Sequence, residues 1–202
     1  MWKYISNIIN TVFGSKISPV VAPVEPVQTF QIINITDQLP WHPTRKWAKR
    51  GLVQIKKIVV HQALSTYTKT TVQGINKYHI TPSSDNHISV NGAPHICYHY
   101  CVIADGTVYQ TNYLSNVTWH VAGHNTNSIG IMLLGDFNGP TWVGIDKNPT
   151  RNQLMSLEKL LNHLIAEEQL NITIQDIYGH KDFGKENCPG IAITRFLDEY
   201  KN

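Results

Sequence analysis

Apolar positions along this chain follow two rhythms, and the rhythms predict its elements. Ile55 to Val60 is a β-branched apolar run ending on His61, which reads as a buried strand. His95 to Ile103 reads as a second strand, and Ala104-Asp105-Gly106-Thr107 as a hairpin turn into Val108 to Thr111. Ser128 to Leu134 is a third buried strand, closed by Gly135, and Ile172 to Tyr178 is a short one that runs out at Gly179-His180. Helical spacing appears from Thr70 to His79. It is clearest after Pro149, where Thr150 and Gln153 form a capping box and Leu154, Leu157, Leu161, Leu164 and Ile165 share a face. A last helix follows Cys188-Pro189-Gly190 and carries Ile193, Phe196 and Leu197. Thr81 to Pro94, rich in Ser, Asn, Asp, Gly and Pro, is a surface loop. Strands interleaved with helices, plus one hairpin, imply an α/β domain with a mixed central β-sheet flanked by helices.

The N-terminal part reads differently. Trp2, Ile5, Ile8, Ile9, Val12 and Phe13 recur at helical spacing, so residues 1–14 form a candidate amphipathic segment. Membrane contact, packing on the domain and disorder stay open for it. Residues 15–29 hold Pro19, Pro23 and Pro26 and read as an extended linker, which leaves 30–202 as the folded domain. No window approaches the roughly 18 apolar residues of a membrane span. A secretory signal is not clear either, since neither an unbroken apolar core nor a small-residue cleavage site stands out.

Composition changes the picture in three ways. At 202 residues the chain suits one well-buried domain plus an appendage. A formal charge of +3, from 17 basic and 14 acidic residues, does not call for nucleic acid and would not hinder approach to an anionic surface. Ten histidines raise the prior for a metal without locating a site. The three cysteines, Cys97, Cys101 and Cys188, are too few and too odd for a disulfide framework and favour folding in a reducing compartment. Cys97 and Cys101, four apart on one strand face, read as small buried hydrophobes.

His61 and His180 fall one or two residues beyond apolar strands, at the sheet edge where ligands gather in α/β folds. Cys188 follows His180 across a short loop, at the mouth of a helix whose positive end favours a thiolate. Two imidazoles and a thiolate would fill three tetrahedral positions of zinc and leave the fourth for water. Taken singly, each is more often a satisfied polar residue or an inert buried thiol, so spacing alone leaves both readings open.

Larger patterns narrow the choice. Gly179-His180-Lys181-Asp182-Phe183 with Cys188-Pro189-Gly190 resembles the closing motif of the type-2 N-acetylmuramoyl-L-alanine amidases and peptidoglycan recognition proteins. Val59-Val60-His61 is similar to that family's first zinc histidine on its strand. Cys97-Tyr98-His99-Tyr100 with Asp105-Gly106-Thr107-Val108-Tyr109 resembles its tyrosine strand and hairpin. Trp119-His120 through Asn127-Ser128-Ile129-Gly130-Ile131 resembles its groove segment and central strand. Four segments in order across about residues 55–198 make the resemblance specific, and phage endolysins are the most similar members in overall look.

The resemblance implies zinc held by His61, His180 and Cys188, with Tyr98 over the metal as a catalytic group. His99, on the opposite strand face, is then a hydrogen-bonded core residue. His120 and Asn127 would line the groove for muramyl and peptide groups. The implied reaction is hydrolysis of the amide between the lactyl group of muramic acid and the L-alanine of the stem peptide. The implied partner is bacterial peptidoglycan, reached by a monomer made in the cytoplasm. One departure stands out: two places before the zinc cysteine, where the family commonly carries Lys or Thr, this chain has Glu186, with Lys185 just before it. Lys185 as oxyanion donor is the favoured reading, Glu186 as general base the alternative, and a solvated loop the third. Two other functions stay open: a non-catalytic peptidoglycan-binding module, and a zinc peptidase acting within the stem peptide.

Overall fold

The computed structural model describes residues 30–66, 68–138 and 148–202. The expected amphipathic segment and proline-containing linker lie outside the described residues. In chain order the elements are β1 (Ile32–Asn34), β2 (Ala48–Lys49), β3 (Lys57–Gln62), α1 (Val72–Ile80), β4 (Tyr100–Val102), β5 (Val108–Gln110), β6 (Asn116–Val117), β7 (Ser128–Leu133), α2 (Arg151–Ala166), β8 (Ile177–Gly179) and α3 (Ile191–Lys201). Six strands form one sheet in the order β1-β5-β4-β7-β3-β8, and β2 pairs with β6 apart from it. Within the six, β4 and β5 run antiparallel and every other pair is parallel. This is the mixed α/β sheet that the pattern predicts. The antiparallel step is the expected hairpin: Asp105 Oδ1 accepts from the Thr107 N–H at 2.8 Å, and Gly106 takes φ +91°, which a side chain would strain.

Strand alternation sorts the sheet into two faces. Ile58 and Val60 of β3, Ile129, Ile131 and Leu133 of β7, and Tyr100 and Val102 of β4 pack into one cluster with Leu157, Leu160, Leu161 and Leu164 of α2 and Ile193 and Leu197 of α3. The residues between them point the other way. Cys101 and Met132 pack there with Val72 and Ile75 of α1. His61 belongs to this second face. The capping box of α2 forms as expected, and its Gln153 does more: Nε2 donates to Val102 O at 3.1 Å and Leu134 O at 2.9 Å, fastening the helix to two strand ends.

Two strands are shorter than the sequence predicts. The segment from His95 joins the sheet at Tyr100, because side chains of α1 take the earlier backbone donors: Ile96 N–H gives to Asn76 Oδ1 at 2.8 Å and Cys97 N–H to His79 Nδ1 at 3.1 Å. Cys97 and Cys101 consequently do not share a face. They are both buried, but in separate clusters. The strand expected from Ile172 begins at Ile177, because Asp176 folds back on the Thr173 N–H and hydroxyl at 2.8 and 2.7 Å and closes a 3-10 turn.

Candidate metal centre

Strands β3 and β8 lie side by side, so their C-terminal ends deliver two histidines to one place. His61 is the penultimate residue of β3 rather than one beyond it, and His180 follows β8 directly; their rings lie 4.4 Å apart. Cys188 completes the group. The three donor atoms fall within 4.8 Å of one another, and His61 Nδ1 stands 3.9 Å from Cys188 Sγ. Two tetrahedral zinc ligands with ordinary bond lengths sit about 3.5 Å apart, so the His61–Cys188 pair is within a few tenths of an ångström of that spacing, and the three donors would draw together by about 1 Å at most to close on an ion.

The loop that returns Cys188 is built from its own backbone. Lys181 N–H donates to Cys188 O at 2.6 Å and Cys188 N–H to Lys185 O at 2.8 Å, while Gly184 turns the chain in the left-handed region. Pro189 packs on Gly179 so closely that a Cβ there would meet Pro189 Cδ at 2.8 Å. Gln62, buried beside His61 in sequence, ties the loop down: Nε2 donates to Asn187 O and Oε1 accepts the Phe137 N–H, both at 2.6 Å.

Electrostatics suit neutral donors. Burial, with the charges His120 and His180 would carry, holds His61 well below its usual value. His180 is lowered to about 4 by burial and by the Lys185 charge. Cys188 departs from expectation: burial pushes its thiol up to about 11, outweighing the lowering by a backbone hydrogen bond at Gln62 and by the Lys185 charge. A metal would therefore bind by displacing the Cys188 proton.

The other expected residues separate. Tyr98 is half-buried, its ring 5.2 Å from that of His61, and burial raises its phenol above the usual range. His99 is core, with Nδ1 accepting the Gly130 N–H at 3.0 Å. His120 does not line the cavity beside Tyr98. It is buried behind His61, its Nδ1 3.0 Å from His61 Nε2 and its ring lying over Gly130, where a Cβ would crowd it. Asn127 is not beside His61 either. Its carbonyl accepts the Lys56 N–H at the start of β3, five residues and about 16 Å of strand from His61, and its Oδ1 is buried without a partner among the described residues. Lys185 and Glu186 are both exposed; of the two, Lys185 acts on both His180 and Cys188.

A cavity of about 460 Å³ lies next to the cluster: Tyr98, whose ring is 5.2 Å from that of His61, is one of its walls, while the three donors themselves do not line it. Gln62, Ser65, Thr70, Tyr78 and His79 are among its walls. His79 was not singled out from sequence, although a signal existed: Asn76 and His79 are polar residues on the buried face of α1.

Two histidines and one cysteine at the strand ends of a mixed sheet, beside an open cavity, define a candidate hydrolase site of the three-ligand kind. A profile of N-acetylmuramoyl-L-alanine amidases matches residues 51–191, and the chain belongs to that family. Peptidoglycan-recognition protein SC1a of Drosophila melanogaster is 28% identical over 141 residues, which are 67% of this chain and 68% of that protein. The endolysin of Enterobacteria phage T3 is 30% identical over 102 residues, 50% of this chain and 64% of its own. Among solved structures, the endolysin amidase LysCS from Clostridium intestinale superposes with a TM-score of 0.59 at 25% identity, covering 84% of this chain and 94% of its own. Peptidoglycan recognition protein LE, solved with tracheal cytotoxin, shares the fold at 20% identity, with a TM-score of 0.63 over 83% of this chain and 91% of its own.

Proposed function

We propose that this protein is a zinc-dependent N-acetylmuramoyl-L-alanine amidase of the endolysin type. It would hydrolyse the amide between the lactyl group of muramic acid and L-alanine in bacterial peptidoglycan. The observation that carries this reading is the convergence of His61, His180 and Cys188 to within 4.8 Å beside a cavity. The donor set fits zinc: two imidazoles held neutral and one thiol, three ligands among the described residues where a structural site would want four. Zinc held there supplies Lewis acidity and activates water at neutral pH.

The chain's own groups divide the remaining work. Tyr98 stays protonated at neutral pH, so its hydroxyl can donate to the oxygen that gains charge as the carbonyl is attacked. Lys185 brings a positive charge to the same end of the sheet, where it would further stabilise that oxygen. Glu186, its neighbour, is a solvated loop carboxylate in this reading. The cavity beyond Tyr98 would hold the peptide side of the scissile bond and place the carbonyl against the donors.

Mass spectrometry of digested peptidoglycan, with and without a zinc chelator, tests the proposal. The expected products are intact glycan strands and peptides with a free L-alanine amino terminus, formed only without chelator. New termini inside the stem peptide would instead make the protein a peptidase. Retention on peptidoglycan without any product would make it a binding module.

A further inference from the structure

Behind His61 lies a chain of polar groups that no step above uses. His61 Nε2 is 3.0 Å from His120 Nδ1, His120 Nε2 is 3.1 Å from Ser128 Oγ, and Ser128 Oγ is 2.7 Å from the carbonyl oxygen of His124. His61, His120 and Ser128 are all buried.

The proton positions follow from the far end inward. A carbonyl oxygen can only accept, and two oxygens 2.7 Å apart without a proton between them would repel. The Ser128 hydroxyl therefore donates to His124 O. Its proton is then spent, so Ser128 Oγ accepts, and His120 Nε2 carries hydrogen. A neutral imidazole has one N–H, which leaves a lone pair on His120 Nδ1. His61 Nε2 must then be the donor, and the lone pair of His61 falls on Nδ1. That is the nitrogen facing Cys188 Sγ.

We infer that His120, backed by Ser128 and the His124 carbonyl, is a positioning residue that fixes the His61 tautomer and aims Nδ1 at the metal position. The surroundings hold His120 in place on three sides. Asn125 Oδ1 accepts the backbone N–H of His120 at 2.9 Å and of Val121 at 2.8 Å. Gly130 leaves the space that the ring fills. The buried Arg50 guanidinium donates to the carbonyls of Asn125, Thr126 and Ser128, fixing the backbone of the segment that follows His120. An imidazole ligand whose other N–H is spent on an acceptor is more basic and rotationally fixed.

This inference rests on the zinc reading, and its test separates the two. In the metal-free full-length protein, nitrogen-15 NMR of the His61 ring should show hydrogen on Nε2 in the parent; hydrogen on Nδ1 overturns the inference whatever the metal does. Zinc affinity, measured by chelator competition, gives the second readout with His120→Asn and His120→Leu. Asparagine keeps an acceptor close to the place of Nδ1, whereas leucine fills the space without one. Leucine should weaken zinc binding by about 10- to 100-fold and asparagine much less. Equal losses in both, or none in leucine, overturn the positioning role. A parent that binds no zinc overturns the metal reading and leaves the tautomer result standing.

Discussion

Gly130→Ala is a small change whose consequence can be worked out in advance. Gly130 lies mid-strand in β7, opposite Val59, with backbone angles that any residue adopts. A Cβ there would meet His120 Cγ at 2.7 Å and Nδ1 at 2.8 Å, well inside ordinary contact. The ring cannot simply tilt away, because both nitrogens are engaged and the backbone is clamped by Asn125. Overpacking of a buried site costs about 1–3 kcal/mol. Against this, removing glycine's freedom from the unfolded chain stabilises by about 0.4–1 kcal/mol. The net expectation is destabilisation of about 1–2 kcal/mol. In a His120→Ala background the obstruction is gone, so the same Gly130→Ala change should become neutral or stabilising by up to about 1 kcal/mol. Urea denaturation of the four proteins of this cycle, metal-free at pH 7, measures both values. An equal cost of Gly130→Ala in both backgrounds would refute the claim that the glycine exists to seat the histidine.

Three further outcomes are expected. Tyr98→Phe should keep fold and zinc while lowering turnover on a soluble muropeptide by about 10²-fold, the scale of losing one oxyanion donor; unchanged turnover removes Tyr98 from the chemistry. Lys185→Ala should cost a few kcal/mol of transition-state stabilisation with Glu186→Ala much milder, at confirmed zinc content, and the reverse order would make Glu186 the acting group. In acid, metal-free protein should lose stability as pH falls below about 6.5, the unfolded histidine value, because burial lowers His79 to about 3 and His95 to about 4. Both are neutral in the fold and protonate more readily in the unfolded chain, so their contribution is complete above that value and disappears towards pH 4 and 3, at up to about 1.4 kcal/mol per pH unit each. A denaturation midpoint that stays flat from pH 6.5 to 4.5 would contradict this; Asp176, held low by Thr173, acts only below that window.

The sheet was legible wherever side chains carry the rhythm. β3, β7, the hairpin and α2 announce themselves through β-branched runs, Asp-Gly and a capping box. The strand ends did not, because backbone donors at Ile96 and Cys97 are claimed by Asn76 and His79 of another element, a tertiary event with no local signal. His61, His180 and Cys188 could be proposed because each stands at the end of a recognisable element. His120 and Asn127 were expected on a groove, and their places depend on how the segment after Thr118 folds over β7. That fold is set by long-range bonds from Arg50 and by a missing side chain at Gly130, neither of which periodicity reveals.

Arg50 carries a consequence of its own. Its guanidinium is buried, and it gives hydrogen bonds to four carbonyls, those of Leu114, Asn125, Thr126 and Ser128. A lysine offers its donors from one point and could not span that set. A survey that ranks positions by distance to bound substrate would pass over Arg50, yet a change there should register as lost catalysis with an untouched cavity. In a random library, this arginine should tolerate replacement as poorly as His61, His180 and Cys188.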